Sequence, residues 1–434
     1  MMEKSNLFQG DRSRWGMYIV FALVAGVVSI IQSPIMFPDS GTYLSASPIR
    51  TLAYPMTLKL FNLVLGSYGL KTLLAFQLFF VMSVSRVLVN CIADVFDLNG
   101  YVKLMLFFIS LYPWLLVGEL RFAMVVLTEP LTYVFAVSVI IGITKLSENY
   151  SFNSLILCGI WFLLAMLLRS QMTFMWGGFM ALAMYYAWYH KAYKNAFLVV
   201  LVASSMVVLS LGINSFYQVK MFGKTDSSFA YSQALVPALY ILNQDTISQV
   251  ESEDSRNMLT SIYAAMKTRC LLKSSLDDAG CGALGKEHYM QSYTRIYYKV
   301  MSPIVMAYTK SQGLSSMATA YQDLAYSLFV IKLTKEPFSL LKQYVHSMVV
   351  FGLHGRHLTL AFGVLLMMSM ARLRYQNDST STMLALFLIF HLCNLVLVSF
   401  FEANLFRYMF YTEVPLMVMM FAFLSQYLMK VSQR

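Results

Sequence analysis

Runs of about 20 consecutive apolar residues, broken by short polar turns, recur through this sequence, and nothing constrains its fold more. As α-helix, each such run reaches ~30 Å, the thickness of a bilayer's hydrocarbon core. Hydrophobic residues fill 58% of the 434 positions and charged residues 12%, about half the charged share of an average soluble domain. The pattern predicts an all-α polytopic membrane protein. Spans are expected near 17–36, 72–91, 103–118, 122–144, 154–168, 172–189, 196–213, 358–373, 381–401 and 408–430. That makes about 10 transmembrane helices, with a large non-cytoplasmic loop between spans seven and eight. Residues 1–213 would form an N-terminal transmembrane catalytic module whose first outer loop is 37–71. Residues 214–357 would be the outer loop region, and 358–434 the C-terminal helices. The first run lacks a small-x-small cleavage site and reads as an uncleaved anchor. Residues 339–353 are apolar enough for a short span, but Lys342 and His346 favour a helix lying in the interface.

Lysine and arginine in the short loops set the orientation. With Lys4, Arg12 and Arg14 in the cytoplasm, Lys103, Lys145, Lys191, Lys194, Arg372, Arg374, Lys430 and Arg434 also fall inside. Both termini are then cytoplasmic. The net charge of +11 is met by this inner excess and calls for no nucleic acid. Cys91, Cys158 and Cys393 lie in or beside expected helices and read as packing residues. Cys270 and Cys281 share the long loop, where an oxidising compartment permits a disulfide between them.

In this topology the membrane-proximal acids and guanidinium groups collect at the outer surface: Asp39, Glu119, Arg121, Glu129, Arg169, Gln171, Glu402, Arg407 and Glu413. Glu129 and Glu413 are expected about a turn or more inside their helices, where a carboxylate is costly unless it faces a wet cavity. Each of these residues can also be read as a solvated helix end, and Asp39 as the cap of a short loop helix. Several arginines around one cavity suit a phosphate, whose oxygens match the planar guanidinium donors. The cluster suggests an anionic, lipid-attached ligand. Elsewhere, "FGKTDS" at 222–227 contains GKT without the upstream glycine of a nucleotide-binding loop. "HGRH" at 354–357 reads as surface, with no metal site indicated. His391 and Asn394 fall within the ninth span, either functional or bonded to a neighbouring helix.

The stretch "DSGTYLSASPIRTLAYPMTLKLFNLVL", from Asp39 onward, resembles the first outer loop of the GT-C glycosyltransferases, in particular the bacterial protein-mannosyltransferase-like group. Their pattern of Asp, Tyr, Arg-Thr, a glycine and Tyr-Pro falls on Asp39, Tyr43, Arg50, Thr51, Tyr54 and Pro55, with Ala53 in place of the glycine. "LTEPLTYVFAVSVI" resembles the family's acidic residue at the head of a span, matched by Glu129. "FRYMFYTEVPLMVM" is similar to a late Arg-Tyr, matched by Arg407 and Tyr408. Together these cover about a quarter of the chain. Size, span count and the large late outer loop also resemble the serotype-converting glucosyltransferases that decorate bacterial O-antigen.

The resemblance implies transfer of a sugar from a polyprenyl-phosphate donor to a glycan or lipid-linked acceptor, on the periplasmic face of a bacterial inner membrane and with no cofactor. Its leaving group, already an anionic phosphate, needs little acid assistance, so one base near the acceptor hydroxyl suffices. Asp39 takes that role by family position, and direct displacement inverts the anomeric centre. Arg50, Arg121, Arg169 and Arg407 are the phosphate clamps. Tyr43, Tyr54 and Tyr408 contact sugar or phosphate, and Glu129 positions an arginine or the acceptor. The rivals are an O-antigen polymerase, which predicts no Asp39-to-Tyr-Pro pattern, and a lipid-linked glycan flippase or transporter. A transporter should carry charges around a midplane site.

Overall fold

The computed structural model describes residues 11–36, 39–47, 50–115, 125–222, 235–277, 288–313, 317–349, 379–401 and 406–432, with single positions between 363 and 369. Among these residues the fold is all-α, and extended pairing is confined to one isolated parallel bridge between Ile35 and Val125. The chain divides into two compact units. One comprises Met1–Tyr217, Leu366–Cys393 and Phe410–Arg434, the other Gln218–Leu365 and Asn394–Met409.

The first unit runs through α1 (Asp11–Ile31), a short α2 (Ser40–Leu44), α3 (Ala53–Leu65), α4 (Gly69–Phe96), α5 (Gly100–Leu115), α6 (Glu129–Glu148), α7 (Phe152–Leu168), α8 (Met175–Trp188) and most of α9 (Tyr193–Phe222), whose last residues belong to the second. Its centre is α4 and α6. On α4, Leu74, Leu78, Val81, Ser85, Leu88 and Ile92 are buried, a three-and-four spacing that lays one stripe along a helix. α1 packs against α4 through Phe21, Ala25 and Ser29, while Ile19, Leu23, Val27 and Ile30 face outward. Helix α6 buries 78% of its most apolar window, whereas α9 buries only 28%. The rest of α9, including Phe197, Val208, Leu211 and Phe216, presents a continuous apolar face outward, which water tolerates poorly and lipid does not. Among the described residues, five stretches are long and apolar enough to cross a membrane: Ala53–Phe96, Glu129–Glu148, Tyr193–Phe222, Ser379–Ser399 and Met409–Met429.

Two local departures from expectation have physical causes. Residues 53–65, expected within an outer loop, form α3, because "YPMTLKLFNLVL" places proline in a first turn and then continues apolar. α3 folds back on α4 through Gly66, at φ +55°, and Gly69, where a Cβ would lie 2.5 Å from the Phe61 carbonyl oxygen. Span four, expected from 122, is not helical over the described residues 125–128 and is helix from Glu129, because Pro130 lacks an N–H and its ring excludes a preceding helical turn. Glu129 therefore sits in the first turn of α6, a correction to its expected depth.

α8 approaches the helix Ser379–Phe401 through Gly178, where a Cβ would overlap the buried Phe390 ring. Gly178→Ala should lower stability by about 1–3 kcal/mol through overpacking, read as a fall in melting temperature in detergent. In the same region His391 Nδ1 lies 3.1 Å from Thr412 Oγ1 on the last helix, both buried. Its histidine is thus satisfied by a neighbouring helix.

The second unit has its own core, drawn from Leu259, Ile262, Met266, Ile296, Leu324 and Leu328 among others. Ser252 caps the helix Glu253–Thr268 by accepting from Ser255 N at 3.3 Å. Of 339–353, residues 339–347 belong to the helix Pro337–Ser347, whose Leu340 and Tyr344 join this core. Cys270 is disulfide-bonded, and Cys281 lies outside the described residues. Lys332 is fully buried and donates to Ile241 O at 3.1 Å and to Glu336 Oε2 at 2.7 Å. Burial alone would raise the Glu336 carboxyl, but hydrogen bonds from Lys332, Thr246 and Asn243 outweigh it and hold it below its ordinary 4.5. A depressed folded-state value contributes stability that is complete above the unfolded value and is lost as pH falls through the folded one. The melting temperature should thus drop on acidification below about pH 4.5, less steeply in a Lys332→Met/Glu336→Met variant. The difference is modest, since the Glu336 side chain is 28% exposed and solvent screens it.

Candidate functional site

Between α1 and the start of α3 the chain is held by partners from three other helices and from the stretch that precedes α6. Val126 N donates to Ile35 O at 3.1 Å and Ser40 Oγ to Val126 O at 2.9 Å. Thr51 Oγ1 donates to Leu168 O, a carbonyl left over at the end of α7, at 2.7 Å. Leu52 N donates to Asn214 Oδ1 on α9 at 3.1 Å, and Gln77 Nε2 on α4 donates to Tyr54 OH at 3.0 Å. Gln77 and Tyr54 are both fully buried. An irregular segment must place its polar groups somewhere, and here those of Ile35, Ser40, Thr51 and Leu52 are met by the stretch before α6, by α7 and by α9.

That segment presents Asp39 and Arg50 to each other. Asp39 occupies the N-cap position of α2, yet its side chain makes no capping bond. Its Oδ1 lies 2.9 Å from Arg50 Nη2 instead. Arg50 also donates through Nε to Thr42 Oγ1 at 2.7 Å and through Nη1 to Tyr43 OH at 3.2 Å, with its guanidinium carbon 4.4 Å from the Tyr43 ring centre. Tyr43 and Tyr54 meet edge to face at 5.3 Å.

A second ion pair sits deeper. Arg169, extended at the end of α7, places Nη1 2.9 Å from Glu129 Oε1, with the glutamate side chain only 3% exposed. Its Nε donates to Gln171 Oε1 at 3.2 Å. The α6 N-terminus adds a favourable dipole for the Glu129 carboxylate. Thr128 joins the two pairs: it accepts from Arg169 Nη1 at 3.4 Å, donates to Glu129 Oε2 at 3.3 Å and lies 3.5 Å from Tyr43 OH. One consistent set of directions runs Arg50 to Tyr43, Tyr43 to Thr128 and Thr128 to Glu129, Tyr43 accepting one bond and Thr128 two, each donating the next. The outcome is a continuous polar line from an accessible carboxylate to a buried one.

Six residues expected to share a site, Asp39, Tyr43, Arg50, Tyr54, Glu129 and Arg169, are thereby brought together. Arg121 and Glu119 lie outside the described residues, as do Glu402, the side chains of Arg407 and Tyr408, "HGRH" and most of "FGKTDS". Thr42, Gln77, Thr128 and Asn214 were not foreseen, because a neutral polar residue inside or beside an apolar run carries little signal on its own. Among the described residues no group of three or more His, Cys, Asp or Glu is placed to hold a metal. Comparison of the chain with protein-family models, with curated proteins and with solved structures finds no match.

Proposed function

We propose that this chain is a multi-pass glycosyltransferase of a bacterial inner membrane, with about ten spans, cytoplasmic termini and a periplasmic active site. It would move a hexose from a polyprenyl-phosphate donor to a glycan or lipid-linked acceptor. One observation carries the reading: the residues of the GT-C-like stretch, Asp39, Tyr43, Arg50 and Tyr54, form one bonded cluster with Glu129 and Arg169 from distant helices.

The cluster's geometry supplies what the transfer needs. Of the five N–H donors of a guanidinium, Arg50 directs three to Asp39, Thr42 and Tyr43, so a donor phosphate oxygen can be bound without dismantling the arrangement. Asp39, 28% exposed, takes the proton of the acceptor hydroxyl. The acceptor oxygen forms its bond to the anomeric carbon as the carbon–phosphate-oxygen bond breaks, and polyprenyl phosphate leaves with the electron pair. Arg50 and Arg169 offset the charge that develops there. Arg121, Arg407 and Tyr408 are further donor contacts in this reading.

The test incubates the purified protein with a panel of polyprenyl-phosphate sugars and measures lipid-phosphate release and sugar transfer. Turnover of one donor supports the reading. Binding without turnover across the panel, together with transport of a lipid-linked glycan in vesicles, would replace it by the transporter reading.

A further inference from the structure

We propose a second site on this protein, a phosphate-accepting pocket where α1, α4, α5 and α6 come together at the end of the helices opposite to Asp39. Glu129 opens α6 and Lys145 lies in its last turn, roughly 24 Å apart at 1.5 Å per residue, so this pocket is separate from the cluster above and does not depend on the transferase reading.

The pocket is a cavity of about 430 Å³, to which Tyr18 of α1, Arg86, Asn90 and Asp94 of α4, Lys103 of α5 and Lys145 of α6 all contribute. That volume lies within the ordinary range for ligand pockets. Its lining holds three cations against one carboxylate, and Asp94 is taken by Lys103 at 3.1 Å. Glu148, one turn beyond on α6, is exposed and outside the lining. The Arg86 guanidinium carbon sits 5.2 Å from the Tyr18 ring centre, which orients its planar donors as a stacked arginine does. Positive charge gathered in a cleft between helices favours an anion, and phosphate matches it best. The surroundings favour a lipid as its source: Ile19, Val20, Val87 and Leu104 beside the pocket are exposed and apolar, a surface along which acyl chains can lie. Basic pockets between membrane helices recognise anionic headgroups in this way.

The experiment uses the full chain in nanodiscs of phosphatidylcholine, with or without phosphatidylglycerol, and measures phosphatidylglycerol retained after exchange into detergent. Arg86→Gln/Lys145→Gln should retain it about 10- to 30-fold more weakly. Lys194→Gln/Lys220→Gln on α9 should behave as wild type, and Arg86→Lys, which keeps the charge but not the stacked planar donors, should fall between wild type and the glutamine double variant. Cys91 also lines the pocket; Cys158 is buried and Cys393 is half-buried, so maleimide labelling of Cys91, read by peptide mapping to separate it from Cys393, gives a second reading on the wild-type protein. Slower labelling in phosphatidylglycerol discs is expected. Protection by inorganic phosphate in phosphatidylcholine discs, with no added effect of phosphatidylglycerol, supports the phosphate site and assigns it a soluble source. Equal retention by wild type and the glutamine double variant, with Cys91 labelled equally under all conditions, overturns the site.

Discussion

Arg169→Met is expected to lose about 3–5 kcal/mol of folding stability, the usual consequence of removing one partner from a buried ion pair. The reason lies on the other side of the pair. Glu129 is 3% exposed along its side chain, so removing Arg169 takes away a counter-charge at 2.9 Å that water cannot readily replace, while the α6 dipole and Thr128 remain. The arginine is less constrained: 13% exposed and bonded to Gln171, it can reach solvent when Glu129 is changed. Glu129→Gln should therefore be the milder variant. The double variant Glu129→Met/Arg169→Met should regain most of the loss, because replacing both charges by apolar groups of similar volume is often neutral. Thermal unfolding of all four proteins in one detergent checks this. A double variant as unstable as Arg169→Met would show that Glu129 is not what the arginine neutralises.

Much of this arrangement is legible in the sequence, for reasons that differ by element. Helices α4, α7 and α8 fall where apolar runs place them, because a run long enough to span has few alternatives to helix. The Asp39–Arg50 pair is local, and a short segment bounded by two helices has limited ways to place both groups. The Glu129–Arg169 pair is legible only as shared sidedness. Nothing in residues 129 and 169 states that they touch; that follows from α6 and α7 packing together, with Gly142 admitting Cys158 at what would be 2.9 Å from a Cβ. α3 was hidden because its length, Ala53–Leu65, falls short of a span, so hydropathy alone reads it as loop. Thr128 was hidden for another reason. It gains importance only by standing between two charges whose meeting the sequence does not reveal. The second unit's core was hidden too, since amphipathic helices of soluble character are easily passed over beside strongly apolar ones.

Asp39→Asn should reduce sugar transfer by about 10²–10⁴-fold, the range for loss of a general base, while hardly changing the melting temperature. The small structural effect follows from exposure: Asp39 and Arg50 are 28% and 14% exposed along their side chains, and solvent-accessible pairs contribute about 0–1 kcal/mol. The large kinetic effect follows from its position as the accessible end of the polar line. Glu129 is the rival base, but an acceptor hydroxyl must come within about 3 Å of a base, and the glutamate is closed off by Arg169, Thr128 and the surrounding helix heads. The two carboxylates therefore separate by kinetics. Asp39→Asn should lower kcat with little change in KM for the donor. Arg50→Lys should raise KM as well, since a lysine keeps the charge but cannot reproduce the fork that joins Asp39, Thr42 and Tyr43. Wild-type activity should rise with pH along a limb that Asp39→Asn lacks. Wild-type turnover in Asp39→Asn, with loss in a folded Glu129→Gln, would move the base to Glu129. Equal loss in both with equal loss of melting temperature would reduce the whole cluster to a structural clasp.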